Sequence, residues 1–216
     1  MLLEPPVYQE RLLLMGANGS GKSQLAGALL GSGYPRWVAI DSKGDFPAPQ
    51  PHVVIRTPDD RRWSWNRDGG ILYRPKPEYN TGPWLDEILR RLFLRAQKEG
   101  KTAPFVVYVD EALFLSKLGH TRWLSALAVS GRSLKVGLWV SSQRPAWIPV
   151  EIRTEAWRWL VFYLAYSEDE KEVLRYAKGQ ISPAQLQEAA VDYSFWELKR
   201  GKGGKVQATH FPALQL

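Results

Sequence analysis

Gly16-Ala17-Asn18-Gly19-Ser20-Gly21-Lys22-Ser23 completes the pattern G-x-x-x-x-G-K-[ST]. The stretch follows an apolar run at residues 11–15 and precedes residues 24–30, whose composition suits a helix. This order of strand, glycine-rich loop and helix is the context in which the pattern binds phosphate. Glycines let the loop curl so that backbone N–H groups face phosphate oxygens, and the helix N-terminus adds partial positive charge.

The loop predicts a nucleoside triphosphate site with ATP and Mg²⁺ as ligands. Lys22 is expected to reach the β- and γ-phosphates, and the Ser23 hydroxyl is expected to hold Mg²⁺. The loop backbone would surround the phosphate groups. The predicted nucleotide-binding residues are Gly16, Ala17, Asn18, Gly19, Ser20, Gly21, Lys22, Ser23 and Gln24.

The composition predicts one α/β domain that spans residues 1–216. Hydrophobic residues make up 44% of the 216 residues, which is enough for a sizeable core. The formal net charge is +7, and a basic surface favours polyanions such as DNA, RNA or an anionic membrane. The chain has no cysteine, which excludes disulfides and thiolate metal sites.

Membrane and secretion signals are expected to be absent. No apolar run reaches the roughly 18 residues that a membrane span needs. Residues 1–6 contain Glu4 and two prolines where a secretory signal would need a basic start and an apolar stretch. We therefore expect a cytoplasmic protein.

A second apolar run, residues 105–109, ends in two adjacent carboxylates. A continuous apolar run is typical of a strand buried on both faces of a parallel sheet. Asp110, at the end of this strand, is expected to complete the Mg²⁺ shell. Glu111 is expected to orient and deprotonate the attacking water. The two acids predict the catalytic half of the nucleotide site.

Residues 136–142 predict another strand, which ends in a polar cluster. Gln143 is expected to lie beside the phosphate loop and to sense the γ-phosphate through water. Arg132 and Arg144 are the cations expected nearest this edge. An arginine offered to the γ-phosphate of a neighbouring subunit can raise the rate by about 10³–10⁵. Structural salt bridges are the alternative role for either arginine.

The remaining segments alternate between strand and helix patterns. Residues 36–41 predict a strand that runs into the polar loop 41–45, and residues 84–98 have the apolar spacing of an amphipathic helix. Residues 47–83 contain seven prolines, which exclude long helices and predict an insertion of short strands. Further predicted elements are a strand at residues 159–164 and an antiparallel hairpin at about residues 192–209.

Two basic stretches are candidates for contact with nucleic acid. Residues 61–67 interleave Arg61 and Arg62 with tryptophans, a pattern that suits stacking on bases. Packing of the tryptophans on the core is an equally good interpretation. The hairpin turn is basic and rich in glycine, so it could contact a phosphate backbone or could simply be solvated. Its basic residues are Lys199, Arg200, Lys202 and Lys205.

Four motifs together resemble the FtsK–HerA superfamily of DNA-pumping ATPases. Beside the phosphate loop and residues 109–111, the chain has D-x-K-G at residues 41–44 and S-S-Q-R-P at residues 141–145. The superfamily has a similar D-x-K-G and a T-Q-R-P-like end to the corresponding strand, where Ala-Thr often stands in place of Ser141-Ser142. The small size is most similar to the genome-packaging ATPases of membrane-containing icosahedral viruses and phages.

The resemblance implies a P-loop NTPase of the RecA/FtsK type, with a mostly parallel central sheet flanked by helices. It implies a hexameric ring that hydrolyses ATP between subunits and moves double-stranded DNA, with a capsid or membrane protein at a packaging vertex as a further partner. It assigns Glu111 as the catalytic base, Gln143 as the sensor and Arg132 as the arginine that acts in trans, with Arg144 in reserve.

Two other functions stay open at this point. A HerA-like DNA-processing helicase belongs to the same superfamily. An ATP-dependent assembly or secretion factor of filamentous-phage type would act on protein or membrane instead of DNA. A GTP switch is disfavoured because no Asn-Lys-x-Asp follows a later strand.

Overall fold

The sheet at the centre of the molecule has nine strands in the part of the chain that the structure describes. The structure is a computed structural model, and it describes residues 3–63, 69–99, 101–112, 115, 119–188 and 193–213. The strands are β1 (Arg11–Met15), β2 (Arg36–Asp41), β3 (His52–Ile55), β4 (Gly69–Tyr73), β5 (Phe105–Asp110), β6 (Val136–Ser142), β7 (Arg158–Val161), β8 (Phe195–Arg200) and β9 (Val206–Phe211).

The strand order is β3-β4-β2-β5-β6-β1-β7-β8-β9. Strands β1 to β7 are parallel, whereas β8 pairs antiparallel with β7 and β9 pairs antiparallel with β8. The predicted fold class, a mostly parallel sheet with a C-terminal antiparallel hairpin, is confirmed. We call the side on which β1 to β7 end the carboxyl edge, and the side on which they begin the amino edge.

Helices cover both faces of the sheet. Successive strand residues point to opposite faces, so Tyr108 of β5 packs in one cluster with Leu25, whereas Val107 packs in the other with Leu89 and Leu124. Among the described residues, no helix combines the length and the apolarity that crossing a bilayer would require. The helices are α1 (Lys22–Gly31), α2 (Gly82–Glu99), α3 (Arg122–Ser130), α4 (Val150–Glu155), α5 (Ser167–Ala177) and α6 (Pro183–Glu188).

The short strands expected in the proline-rich segment are present as β3 and β4, and they extend the central sheet. Other features differ from the sequence-based expectations. Helix α4 was not predicted. The strand predicted at residues 159–164 ends at Val161, because the next residues bond the phosphate loop: the Ala17 N–H donates to the Tyr163 carbonyl at 2.7 Å. Asp192, the expected start of the hairpin, lies outside the described residues, and β8 begins at Phe195.

The absence of a side chain at Gly70 leaves room for a tryptophan ring on the neighbouring strand. Gly70 of β4 lies directly opposite Trp37 of β2, and a Cβ atom at Gly70 would lie 2.0 Å from the Trp37 ring. The ring is 3% exposed and packed in the core, so a Cβ atom at Gly70 would force the ring or the strand to shift. We expect Gly70→Ala to lower the free energy of unfolding by about 1–3 kcal/mol through overpacking.

Thermal or denaturant unfolding measures this effect. Gly201→Ala is the matched control, because Gly201 is exposed, has φ −88° and has its nearest new neighbour at 3.8 Å. The control should stay within about 0.5 kcal/mol of the parent protein. Equal stability of the two variants would contradict the packing argument.

Candidate active site

The phosphate loop is tied to both strands that flank β1. The Gly16 N–H donates to the Ser142 carbonyl at 3.2 Å, and the Ala17 N–H donates to Tyr163 on the other side. Gly19 (φ 72°) and Gly21 (φ 98°) have left-handed backbone conformations, which side chains with a Cβ rarely adopt. Helix α1 starts immediately after Gly21. The strand, loop and helix predicted from the sequence are thus present, with the loop at the carboxyl edge.

Lys22 is buried at the first position of α1. Its side chain is enclosed by the loop, and Nζ donates a hydrogen bond to the Ala17 carbonyl at 2.7 Å. Burial lowers the pKa of Lys22 to about 8, although the charge of Glu111 acts in the opposite direction. The loop therefore surrounds an ammonium group that is poorly solvated, and a phosphate oxygen would supply the missing charge partner.

Asp110 receives three hydroxyl groups on one carboxylate oxygen. The hydroxyls of Tyr108 and Ser141 each lie 2.7 Å from Oδ1, and the Ser23 hydroxyl lies 3.2 Å from the same atom. Burial and the Asp110 charge raise the pKa of Tyr108 well above its usual value, so its hydroxyl remains a donor. The predicted metal-binding pair, Ser23 and Asp110, is thereby brought together across the sheet.

The oxygen atoms around Asp110 fit a hard divalent cation. Carboxylate and hydroxyl oxygens are the ligands that Mg²⁺ prefers, and Ser23 and Asp110 supply one of each. Carboxylate oxygens of Asp41, Asp45 and Asp110 also lie within 4.8 Å of one another. Asp41 is already paired with Arg74 at 2.7 Å, so Asp45, which is exposed, is the additional oxygen donor that the sequence analysis did not single out.

Glu111 is held at the end of β5 by contacts on its backbone and its carboxylate. Its φ of 56° is unusual for a residue with a side chain, and its N–H donates to the Ser141 hydroxyl at 2.9 Å. Gln143 donates twice, from Nε2 to Oε2 at 2.8 Å and from its backbone N–H to Oε1 at 3.3 Å. Lys43 Nζ lies 3.3 Å from Oε2. The predicted base and sensor are therefore in direct contact.

These groups surround one cavity of about 490 Å³, a volume within the usual range for small-molecule sites. Lys22, Ser23, Asp110 and Glu111 all contribute to its wall. Aromatic side chains form another part of the wall, among them Phe162, Tyr193 and Phe195. Tyr193 is 65% exposed and lies beside Gly21. The sequence analysis missed these rings because they lie between the end of β7 and the first residue of β8, far along the chain from the phosphate loop.

Comparisons with known proteins find similar chains. The DNA packaging ATPase P9 of Enterobacteria phage PRD1 is 25% identical over 176 residues, which cover 80% of this chain and 72% of P9. The DNA double-strand break repair helicase HerA of Saccharolobus solfataricus is 32% identical over 89 residues, which cover 39% of this chain and 18% of HerA. The genome packaging NTPase B204 of Sulfolobus turreted icosahedral virus 2, in complex with AMPPCP, has a TM-score of 0.66 at 17% identity and covers 95% of this chain and 98% of B204. No family model matches the chain.

The resemblance to FtsK–HerA-type packaging ATPases is confirmed. The sequence similarity to P9 includes parts of both halves of the chain. The structural similarity to B204 shows that nearly the whole chain has the same fold as that packaging NTPase. The roles of individual residues in this packaging-ATPase fold remain predictions that rest on the geometry.

Arg144 lies at the carboxyl edge, where its side chain is engaged within its own subunit. Nε donates to the buried Asp169 at 2.7 Å, and the guanidinium is 3.2 Å from Glu168. It also stacks on the rings of Tyr166 and Trp147, at 4.2 Å and 4.9 Å. These contacts match the structural alternative considered for this arginine, and they occupy the group that a trans role would require.

Arg132 lies at the amino edge, so the expectation that it is one of the cations nearest the polar, carboxyl end of β6 is wrong. It precedes β6, whose first residue, Val136, pairs with the first residue of β5. Its guanidinium stacks on the half-exposed Trp157 at 5.0 Å from the ring centre. Strand β6 has seven residues, so the two edges lie roughly 20 Å apart, and one side chain cannot span that distance to the nucleotide site of its own subunit.

The two predicted nucleic-acid stretches lie at opposite outer strands of the sheet. Arg61 and Arg62 follow β3, whereas the 199–205 turn joins β8 to β9. Eight strand spacings separate these outer strands, roughly 38 Å. The two stretches therefore cannot form one binding surface within a subunit.

Neither stretch is wholly free within the described residues. Arg62 is paired with Asp60 at 2.6 Å, and Trp63 packs 5.4 Å from Tyr73, as the alternative interpretation of that stretch proposed. Residues 64–67 of the stretch lie outside the described residues. In the turn, Lys199 lies 3.8 Å from Glu4.

The turn belongs to a basic cluster at the amino edge, which we define as Arg132, Trp157, Arg200, Lys202 and Lys205. Lys199 of β8 pairs with Arg158, the first residue of β7, so the turn projects from the same edge as Arg132. Arg200 stacks on Trp157 at 5.7 Å, on the ring that Arg132 also contacts. The structure thus brings together residues for which the sequence predicted two separate roles.

The low pKa of Lys22 predicts a pH dependence of nucleotide binding. Below pH 8 the free protein already carries the charged ammonium that a triphosphate needs, whereas above pH 8 it must take up a proton on binding. We expect the Kd of ATPγS, measured by calorimetry in EDTA, to rise about tenfold between pH 7 and pH 9. Lys22→Met should bind more weakly and lack this dependence. A Kd that is constant over this range in the parent protein would contradict the assignment.

Proposed function

We propose that this chain is a Mg²⁺-dependent ATPase that drives double-stranded DNA into a viral capsid. In this proposal the chain forms a hexameric ring in the host cytoplasm, at a capsid or membrane vertex, with ATP hydrolysed between subunits. The observation that carries the proposal is the convergence of Lys22, Ser23, Asp110 and Glu111 on one cavity, with Gln143 bonded to the Glu111 carboxylate.

Each side chain has a task that its position permits. Lys22 would neutralise charge on the β- and γ-phosphates, and Ser23 with Asp110 would hold Mg²⁺, which supplies further charge neutralisation when bound. Glu111 would orient the attacking water and accept its proton. Gln143, through its contacts with the Glu111 carboxylate, would keep this base aimed at the γ-phosphate.

DNA as the substrate is supported by similarity and by charge. P9 is a DNA packaging ATPase, and it matches four fifths of this chain. The net charge of +7 and the basic cluster at the amino edge suit a phosphate backbone. Exposed Lys202 and Lys205 on a glycine-rich turn would contact that backbone without reading sequence.

Hydrolysis between subunits is supported by the separation of the two edges. Arg132 is remote from its own nucleotide site, so it could stabilise the γ-phosphate only in a second copy of the chain. Contact between the amino edge of one subunit and the carboxyl edge of the next is a heterologous interface, which closes into a ring when the rotation permits.

A HerA-like helicase is the second candidate. It is favoured by the identity of 32% with HerA, the higher of the two values, although the match covers 18% of HerA. A helicase and a packaging motor would share the nucleotide site and would differ in what they do to the DNA strands.

Stimulation of ATP turnover by DNA tests the proposed function. Linear double-stranded DNA at low salt should raise kcat several-fold, and about 200 mM salt should reduce the effect because cations compete for the phosphates. Glu111→Gln should still bind ATPγS and lose about 10²-fold or more in turnover, because the proton acceptor is gone. Turnover that DNA does not change would favour an assembly or secretion factor, and separation of a forked duplex would favour the helicase.

Mixed rings test the arginine that acts in trans. Arg132→Ala should lose about 10³-fold in kcat, and mixing with Glu111→Gln subunits should restore part of it, because each ring then contains intact composite sites. The control is a mixture with Glu111→Gln/Arg132→Ala subunits, which should restore nothing. Arg144→Ala should instead lower the free energy of unfolding by about 3–5 kcal/mol, because the buried Asp169 loses its charged partner and, among the described residues, keeps only the Ala146 N–H as a donor. Rescue by both mixtures, or by neither in proven mixed rings, would contradict the trans role of Arg132.

A further inference from the structure

We infer that Lys43 is a positioning residue that holds the Glu111 carboxylate until a terminal phosphate arrives, and then transfers to that phosphate. The inference rests on the proposed ATPase function, and it adds a device that makes the base available only when a triphosphate occupies the site.

The contacts of Glu111 show what Lys43 does in the structure. The Oε2 atom of Glu111 accepts from Gln143 Nε2 at 2.8 Å and lies 3.3 Å from Lys43 Nζ. Accepting a proton from water requires an oxygen lone pair that is directed at that water. Two donors on Oε2 and the Gln143 N–H on Oε1 take three of the roughly four acceptor sites of a carboxylate, and one of these donors carries a full charge that weakens the basicity of the carboxylate.

The lysine is the movable member of this pair. The Lys43 side chain is 37% exposed, whereas the Glu111 side chain is 10% exposed and Glu111 is also fixed through its backbone. Water reaches the Lys43 ammonium and screens its attraction to Glu111. The ion pair is therefore weak enough for a phosphate to compete with it.

The backbone beneath Lys43 is rigid, so motion would be confined to the side chain. Asp41 accepts hydrogen bonds from the Gly44 N–H at 2.7 Å and the Phe46 N–H at 3.1 Å. On the other side, the Asn80 amide donates to the Ser42 carbonyl at 2.9 Å. The loop therefore presents the lysine from a fixed point on the wall of the cavity.

A γ-phosphate would change the balance of charge around Lys43. Lys43 and Lys22 line the same cavity, so a triphosphate would enter between two cations. The terminal phosphate carries more negative charge than one carboxylate and would draw the Lys43 ammonium away from Glu111. A diphosphate would not extend as far and would leave the pair intact. Only ATP would thus release the base.

Binding measurements with two nucleotides test the inference. The ratio of the ADP Kd to the ATPγS Kd should fall about tenfold in Lys43→Met, because a charge-assisted contact with the terminal phosphate is lost. Lys43→Arg should recover most of the ratio, and Lys171→Met, on the exposed face of α5, should not change it. A thermal melt establishes that each variant is folded.

A double-mutant cycle tests the link to Glu111. Glu111→Gln should bind ATPγS several-fold more tightly than the parent, because Lys43 then contacts the phosphate without first breaking an ion pair with Glu111. This gain in affinity should vanish in the double variant Glu111→Gln/Lys43→Met. The inference needs both results. The inference would be overturned if the ratio of the ADP Kd to the ATPγS Kd in Lys43→Met stayed within twofold of the parent value. It would also be overturned if Glu111→Gln increased the affinity for ATPγS even in the Lys43→Met background.

These measurements are independent of hydrolysis and of DNA. If the parent protein binds ATPγS but never turns over ATP, the proposed function fails while the binding ratios still report on Lys43. If turnover and DNA stimulation are present but the ratios do not change, the inference about Lys43 fails alone. The split between KM and kcat gives a further readout, since Lys43→Met should lower kcat as well as affinity for ATP.

Discussion

The hydroxyl of Ser141 joins the two halves of the nucleotide site. It is fully buried, donates to Asp110 and accepts from the Glu111 N–H, so the end of β6 clamps the end of β5. The neighbouring carbonyl, of Ser142, accepts from Gly16 at the start of the phosphate loop. Strand β6 therefore fixes the distance between the loop that would grip the phosphates and the acids that would act on the γ-phosphate.

The candidate site contains three buried charged residues. Lys22, Asp110 and Glu111 are each less than a tenth exposed, and isolated charges in such surroundings are costly. The protein compensates with short-range partners: hydroxyls for Asp110, an amide and an ammonium for Glu111, and a loop carbonyl for Lys22. A phosphate could replace the loop carbonyl as the partner of Lys22, and a cation could replace the Ser23 hydroxyl as the partner of Asp110. The contacts seen in the free site are therefore ones that ligand binding would change.

The two edges of the sheet carry different groups. The carboxyl edge carries the nucleotide site and the Arg144–Asp169 pair, whereas the amino edge carries the basic cluster around Trp157. Because the two edges differ, a contact between the amino edge of one copy and the carboxyl edge of another would be heterologous. This asymmetry is a property of the parallel sheet, because all seven parallel strands begin on one side and end on the other.

Local sequence predicted most of the strands and helices and named the candidate site residues at their ends. The patterns that gave these predictions each span only a few residues. Residues 16–23 have the glycines of a phosphate-binding loop, and the apolar runs before Asp110 and before the polar end of β6 are typical of strands buried on both faces. Tertiary structure alone decided which residues meet. The Lys43–Glu111 pair, the rings of Phe162, Tyr193 and Phe195 in the cavity wall, and the placement of Arg132 at the far edge depend on strand order and direction. Strand order is set by packing across the whole sheet, and no pattern within a few residues encodes it.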